Sequence, residues 1–313
     1  MKSIESTLIL VILVLFTACT STKNKEQTIS LSGAFALYPL VVKWSEEYQK
    51  EHPDVRFNIS AGGAGKGMAD ALSGTVDLGM FSREISQTEI DKGVWWIAVT
   101  KDAVIPTINA ANPVVETLKK RGITREEFKR LYIKDNYTNW NQIGGISMDQ
   151  PINVFTRSDA CGAAGTWAAY LGSKQEDLKG VGVFGDPGLA DAVVKDEKGI
   201  GFNNTIYLYD VKSGNKNPGI EVIPIDVNEN GQLDADEDFY QTFGQVLSAI
   251  AAGKYPSPPA RELYLVAKGK PGKQATLDFL KWVVSQGQQF VSDAGYVPLN
   301  ETKLKEQSTK LND

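Results

Sequence analysis

The segment Arg157-Ser158-Asp159-Ala160-Cys161-Gly162-Ala163-Ala164-Gly165-Thr166 carries the strongest chemical signal in the chain. A strand-like run, Ile152 to Thr156, delivers an arginine and an aspartate onto a turn of small residues. Trp167, Tyr170 and Leu171 then follow at helical spacing. A guanidinium beside the unpaired amides of a helix start forms a socket for an oxyanion. Asp159 can brace Arg157 and fix the direction of its fork. Taken alone, the segment would also suit an ordinary strand-to-helix turn with a surface ion pair. Two similar turns, at Ser32-Gly33-Ala34-Phe35 and at Gly62 to Gly67, favour the anion socket.

A second constellation has metal-ligand spacing. Asp226, Asn228, Asn230, Gln232, Asp234 and Glu237 occupy the oxygen-bearing positions of a twelve-residue calcium loop, with Gly231 at the tight turn and Leu233 as apolar anchor. Ile220 to Ile225 reads as a strand, so the expected site is a structural calcium on a strand–loop–helix unit rather than between paired helices. A solvated acidic turn is the competing reading.

Two other combinations are weaker. Gly67 stands where a nucleotide P-loop needs Ser or Thr after Lys66, and Ser60 where it needs glycine. Cys161 and His52, the single histidine, could form a nucleophile and base for a hydrolase. His52 lies in the polar run Lys50-Glu51-His52-Pro53, better suited to ending a surface helix.

The elements that must position these turns alternate short apolar strands with amphipathic helices, the pattern of an α/β protein. A strand ends near Leu31, and a helix presents Leu37, Val41, Trp44 and Tyr48 on one face. Val55 to Ser60 and Val76 to Met80 read as strands, Trp95 to Ile108 as a long extended segment, and Thr124 to Tyr132 as a helix. Gly199 to Phe202 and Leu263 to Ala267 are further strands, and Thr276 to Ala294 reads as one long amphipathic helix.

The 313 residues suffice for one large or two medium domains. A net charge of −5 leaves no footprint for nucleic acid or for an anionic membrane surface. Lys2 precedes an apolar run from Leu8 to Phe16, too short to span a bilayer and suited to a signal segment. Thr17-Ala18-Cys19 closes it in the manner of a bacterial lipoprotein signal, so residues 1–18 are expected to be removed and Cys19 lipidated. A plain secretory signal is the alternative. Residues 19–27 would then tether the protein to the membrane, in the cell envelope, facing the periplasm or cell exterior. With Cys19 acylated, Cys161 has no disulfide partner.

Taken together, the chain resembles a phosphate-binding protein of the bacterial phosphate ABC importer. Ser32 to Leu40, Gly62 to Gly67 and Asp77 to Arg83 resemble that family's three ligand loops. Asn112-Pro113-Val114, Asn139 to Gly145 and Gly295 to Leu299 resemble its other signatures. The resemblance implies a two-lobed periplasmic-binding-protein fold of the second type, with residues 28–101 and 262–313 in one lobe and 102–261 in the other. Two hinge segments join the lobes, and the ligand lies in the cleft between them. It implies a monomer that binds, catalyses nothing, needs no catalytic cofactor, and hands phosphate to ABC permease subunits.

Carried onto this chain, the ligand-binding set is Ser32, Ala34, Phe35, Gly63, Ala64, Ser82, Arg83, Arg157, Asp159, Cys161, Gly162 and Ala163. Ser82 stands where some members use a proton-accepting aspartate. Ala34 or Phe35, Ala64, Cys161 and Ala163 stand where members often have hydroxyl residues. Each missing neutral hydrogen bond is worth about 0.5–1.5 kcal/mol, which keeps another oxyanion (sulfate, molybdate) or a small organic acid in view as ligand.

Overall fold

The structure is a computed structural model, and it describes residues 27–134 and 136–313. The expected signal peptide, nearly all of the tether and Cys19 lie outside the described residues.

Strand β1 (Gln27–Gly33) leads into helix α1 (Tyr38–Glu51), and β2 (Val55–Ala61) into α2 (Ala64–Ser73). Strand β3 (Leu78–Phe81), helix α3 (Gln87–Asp91) and the sixteen-residue β4 (Val94–Asn109) follow. The chain continues through α4 (Val115–Arg121), β5 (Ile123–Thr124), α5 (Arg125–Tyr132), β6 (Asn153–Arg157) and α6 (Gly162–Tyr170). Next come β7 (Val181–Val183), α7 (Asp186–Lys195), β8 (Gly199–Asn204), α8 (Thr205–Leu208), β9 (Ile220–Val222) and β10 (Ile225–Asp226). Helix α9 (Phe243–Ala251), β11 (Ala260–Lys268), α10 (Gln274–Val283) and α11 (Glu301–Asn312) complete the order.

The main sheet runs β2-β1-β3-β11-β4-β8-β6-β7, with β9 also on β4. Its two halves belong to two hydrophobic cores. One core gathers Ile29, Leu31, Leu37, Val41, Trp44, Tyr48 and Phe279. The other gathers Phe128, Tyr132, Trp140, Trp167, Phe202 and Tyr255. The molecule is two-lobed, and β4 with β11 forms the join. Strand β4 pairs with β11 up to Ala103 and with β8 from Val104 onward. A strand sixteen residues long exceeds the width of one lobe, so it must change partners as it crosses.

The helix face expected from Leu37, Val41, Trp44 and Tyr48 is fully buried, as the 3.6-residue period requires. The expected long helix from Thr276 to Ala294 is instead broken. α10 ends at Val283, and a separate 3-10 turn spans Gln286–Phe290. The indole of Trp44, midway along α1, donates to Gly287 O at 2.7 Å and holds the 3-10 turn against that helix. A contact so distant in sequence leaves no trace in local periodicity. The expected strand from Ile220 to Ile225 is likewise split at Ile223-Pro224 into β9 and β10. Proline has no amide hydrogen to continue a ladder.

Candidate functional site

Strand β6 ends on Arg157, and the next four residues turn the chain into α6. Cys161 caps that helix, its Sγ accepting from Ala164 N at 3.4 Å. Gly162 and Ala163 are the first two helical residues, so their amides have no carbonyl one turn back to bond. They carry the positive end of the helix dipole.

Arg157 does not reach toward solvent; its side chain is 0% exposed. Nε and Nη2 donate to Asp159 Oδ1 and Oδ2 at 2.8 and 2.7 Å, a two-pronged brace of the kind expected from the spacing. Gly185 N donates to the same Asp159 Oδ1 at 3.1 Å, and Gln175 locks the turn from behind by bonding Asp159 O and Cys161 N. The ring of Phe35 covers the guanidinium at 5.9 Å. Nη1 is ion-paired with Asp186 Oδ2 at 2.7 Å, though without an aligned hydrogen bond. Burial alone would lower the Arg157 pKa; the nearby Asp186 and Asp159 carboxylates more than offset that and keep it charged.

The other lobe meets this turn at several points. Gly65 N donates to Ala160 O at 3.0 Å across the gap. Gly63, at φ +88, approaches so closely that a Cβ would lie 2.8 Å from Asp159 Oδ2. A Cβ on Gly162 would lie 2.1 Å from both Ser82 O and Ser82 Oγ, so no residue with a side chain fits without moving the lobes apart. Tyr207, on α8, donates its hydroxyl to Phe35 O at 3.1 Å. The lobes are therefore closed on one another around Arg157, with β1, α2 and β3 supplying the opposing face.

The structure thus brings together Phe35, Gly63, Ser82, Arg157, Asp159, Cys161, Gly162 and, one residue on, Ala163. Ser82 is buried, with its hydroxyl against Gly162. Of the four other expected ligands, Ser32, Ala34 and Arg83 have different partners. Ser32 donates its hydroxyl to Asp70 Oδ2 at 2.7 Å. Ala34 N bonds Met80 O at 2.9 Å, and Ala64, buried, opens α2 without a polar side chain. Arg83 is held by Glu89 in a two-pronged pair at 2.7 and 3.1 Å and stacks on Phe81.

Sequence reasoning missed Asp186, Asn204, Arg261 and Asp102. Asn204 Nδ2 donates to Asp186 Oδ1, and Arg261 Nη2 donates to Asn204 Oδ1. Arg261 also pairs with Asp102 at 2.8 Å and bonds Thr166 Oγ1 at 3.1 Å. Asp102 and Arg261 sit on β4 and β11, so one buried polar chain runs from the socket to the hinge. The Gly185-Asp186-Pro187 triplet signals a helix start, but nothing local says that its carboxylate is buried.

The environment of the Cys161 thiol disfavours the thiolate that a nucleophile needs. The thiol is buried, which pushes its pKa up to about 12, and a thiol rather than a thiolate is unreactive. His52 caps the C-terminal end of α1 and stacks on Tyr48 at 4.1 Å.

In the loop from 226 to 237 the oxygen atoms are occupied locally. Asp226 accepts from Asn230 N and Gly231 N, and Glu237 from Val227 N and Asn228 N. Asn228 and Asn230 each donate to Asp234 at 2.8 Å. Among the described residues no group of three or more His, Cys, Asp or Glu side chains is gathered as a metal-ligand set. The loop passes into a turn, and the helix follows only from Phe243. Among the same residues no helix is long and apolar enough to cross a membrane.

Comparison with known proteins agrees with this geometry. Residues 19–286 match the model of the PBP superfamily domain. The phosphate-binding protein PstS of Bacillus subtilis (strain 168) is 25% identical, covering 91% of this chain and 86% of its own length. That of Xylella fastidiosa (strain Temecula1) is also 25% identical, over 91% and 85%. A phosphate-bound substrate-binding protein of a putative phosphate ABC transporter from Clostridium perfringens superposes with a TM-score of 0.71. It is 21% identical and covers 88% of this chain and 100% of its own. An ABC-type phosphate transport receptor from Vibrio cholerae gives 0.64, at 20% identity and 87% and 100% coverage. The closed two-lobed architecture and the family match lead to one conclusion: the chain belongs to the PBP superfamily.

Proposed function

We propose that this protein captures inorganic phosphate between its lobes and delivers it to the permease subunits of an ABC importer, acting as a binding protein and not as an enzyme. The observation that carries the reading is the set of donors that converge around one enclosed guanidinium. They are Arg157 Nη1, the amides of Gly162 and Ala163, and the hydroxyl of Ser82, all at the meeting of two lobes. A tetrahedral oxyanion needs donors from several directions, and charge-assisted ones are worth roughly 1.5–3 kcal/mol each. The names of the relatives point to phosphate among the oxyanions. Lipidation at Cys19 would hold the protein at the outer face of a membrane, within reach of its permease.

A second reading, a small organic acid as ligand, has one observation in its favour. Arg83, Gly165 and Thr166 line a cavity of about 640 Å³ together with Lys101, Arg261 and Glu262 of β4 and β11. That space would hold a carbon skeleton that phosphate lacks. Calorimetric titration of the full chain with phosphate, sulfate, molybdate and small organic acids separates the readings. Phosphate should give the tightest binding; an absence of heat with millimolar phosphate would remove it.

The loop at 226–237 is proposed to take one structural calcium ion. Its donors are all oxygen, suited to a hard cation, and Leu233 anchors it to the core of the second lobe. Calcium should raise the melting temperature of the wild type. In Glu237→Gln the rise should largely vanish, and an equal rise in both proteins would discard the site.

A further inference from the structure

We propose that Asp186 sets the charge of the socket: ionised, it masks the last face of the Arg157 guanidinium, and on anion capture it takes up a proton and releases Nη1 to the oxyanion. The inference deepens the phosphate reading and rests on it.

The starting point is a charge count. Around the socket stand one cation, Arg157, and two carboxylates, Asp159 and Asp186, each within 2.7 Å of it. With both carboxylates ionised the trio is net negative before any ligand arrives. Like charges enclosed together are strongly unfavourable, so adding an anion there forces either the ligand or the protein to accept a proton.

Geometry distinguishes the two carboxylates. Asp159 is committed to Arg157 through two aligned bonds and to Gly185 N through a third. Its ionised form is well supplied with donors. Asp186 Oδ1 is bonded by Asn204 Nδ2, but its Oδ2 faces Nη1 without alignment. A proton on Oδ2 would remove the charge that holds Nη1 back. The groups that face Asp186 are Arg157 and Asp159 from β6 and its turn, Cys161 at the head of α6, Asn204 from β8, Tyr207 from α8 and Arg261 from β11. Burial raises the Asp186 pKa, and the attraction of Arg157 and Arg261 does not fully reverse it. Sulfate, which brings no proton, would draw the same uptake from solution without offering one in return.

The test is calorimetry of the full chain with inorganic phosphate at mildly alkaline pH, in buffers of different ionisation heat, which counts protons. Wild type should take up protons on binding, and Asp186→Asn should take up close to one fewer. In Asp186→Asn the affinity should also lose up to tenfold less per unit rise of pH, and the preference for phosphate over sulfate should shrink. If Asp186→Asn does not fold, Asn204→Ala serves in its place. Losing the amide that supports the ionised carboxylate should move the proton uptake to higher pH. Unchanged proton counts and an unchanged phosphate-to-sulfate ratio in these variants would overturn the assignment and leave Asp186 a structural brace. No heat at all with phosphate would overturn the phosphate reading and this one with it. Heat without an Asp186-dependent proton would overturn this one alone.

Discussion

The two lobes meet the socket with different chemistry. The lobe built on β1, β2 and β3 brings polar side chains that are already engaged at home, Ser32 with Asp70 and Arg83 with Glu89. What it adds to the cleft is close backbone, the ring of Phe35 and the hydroxyl of Ser82. The lobe built on β6 and β8 carries every formal charge at the centre: Arg157, Asp159 and Asp186. One lobe therefore holds the electrostatics and the other closes over them. A charged group must be fixed before the ligand comes, because buried donors are effective when they need no rearrangement on binding. A cover needs only to approach closely, and small residues allow that.

This division can be broken most severely at Arg157. Arg157→Ala should abolish phosphate binding and also cost about 3–5 kcal/mol of stability, because two buried carboxylates lose their counter-charge. Calorimetry and thermal melting would register both. From the sequence alone such a substitution would be expected to spare folding; the complete burial of the side chain changes that expectation. Binding that survived the change would remove the charged lobe from the centre of the account.

Next in size is Gly162→Ala. The added methyl would collide with Ser82, and overpacking of this kind costs about 1–3 kcal/mol, or roughly 5- to 150-fold in affinity. The cost should fall on the closed state, so the melting temperature without ligand should move little while the gain on adding phosphate shrinks. An unchanged affinity would mean that the lobes do not close to this distance in the bound form.

The smallest effects sharpen the comparison within the covering lobe. Ser82→Ala should weaken phosphate binding by a single neutral hydrogen bond, about 0.5–1.5 kcal/mol, whereas Ser32→Ala should leave affinity unaltered and lower stability by about 1 kcal/mol. Titrations of the two variants side by side would decide it. The reverse ranking would show that the lobe presents Ser32, not Ser82, to the ligand.

How much of this was legible before folding depends on the range of the interaction. The α1 face, the strand ending on Arg157 and the Arg157–Asp159 brace all follow from spacings of a few residues, and the structure reproduces them. Arg83 was expected beside Arg157 in the ligand-binding set because it follows the strand β3 in one of the ligand loops. It differs only because Glu89, six residues on at the start of α3, claims it. Asp186 looked like any acidic residue at a helix start, where carboxylates are common for dipole reasons. The break after α10 was hidden for the same reason as Asp186: its partner, Trp44, is more than two hundred residues away in the chain.

By itself the sequence determined the α/β alternation, the residues of the ligand turn and the existence of a guanidinium braced by its own neighbour. These depend on periodicity and on contacts within one turn, which a linear string records directly. Tertiary structure decided which charges share a single buried space. It joined Asp186 to Arg157, set Asn204 and Arg261 between them and the hinge, and gave Arg83 and Ser32 to other partners. The physical reason is that electrostatic energy inside a protein depends on separation and solvent exclusion, and neither can be read from distance along the chain.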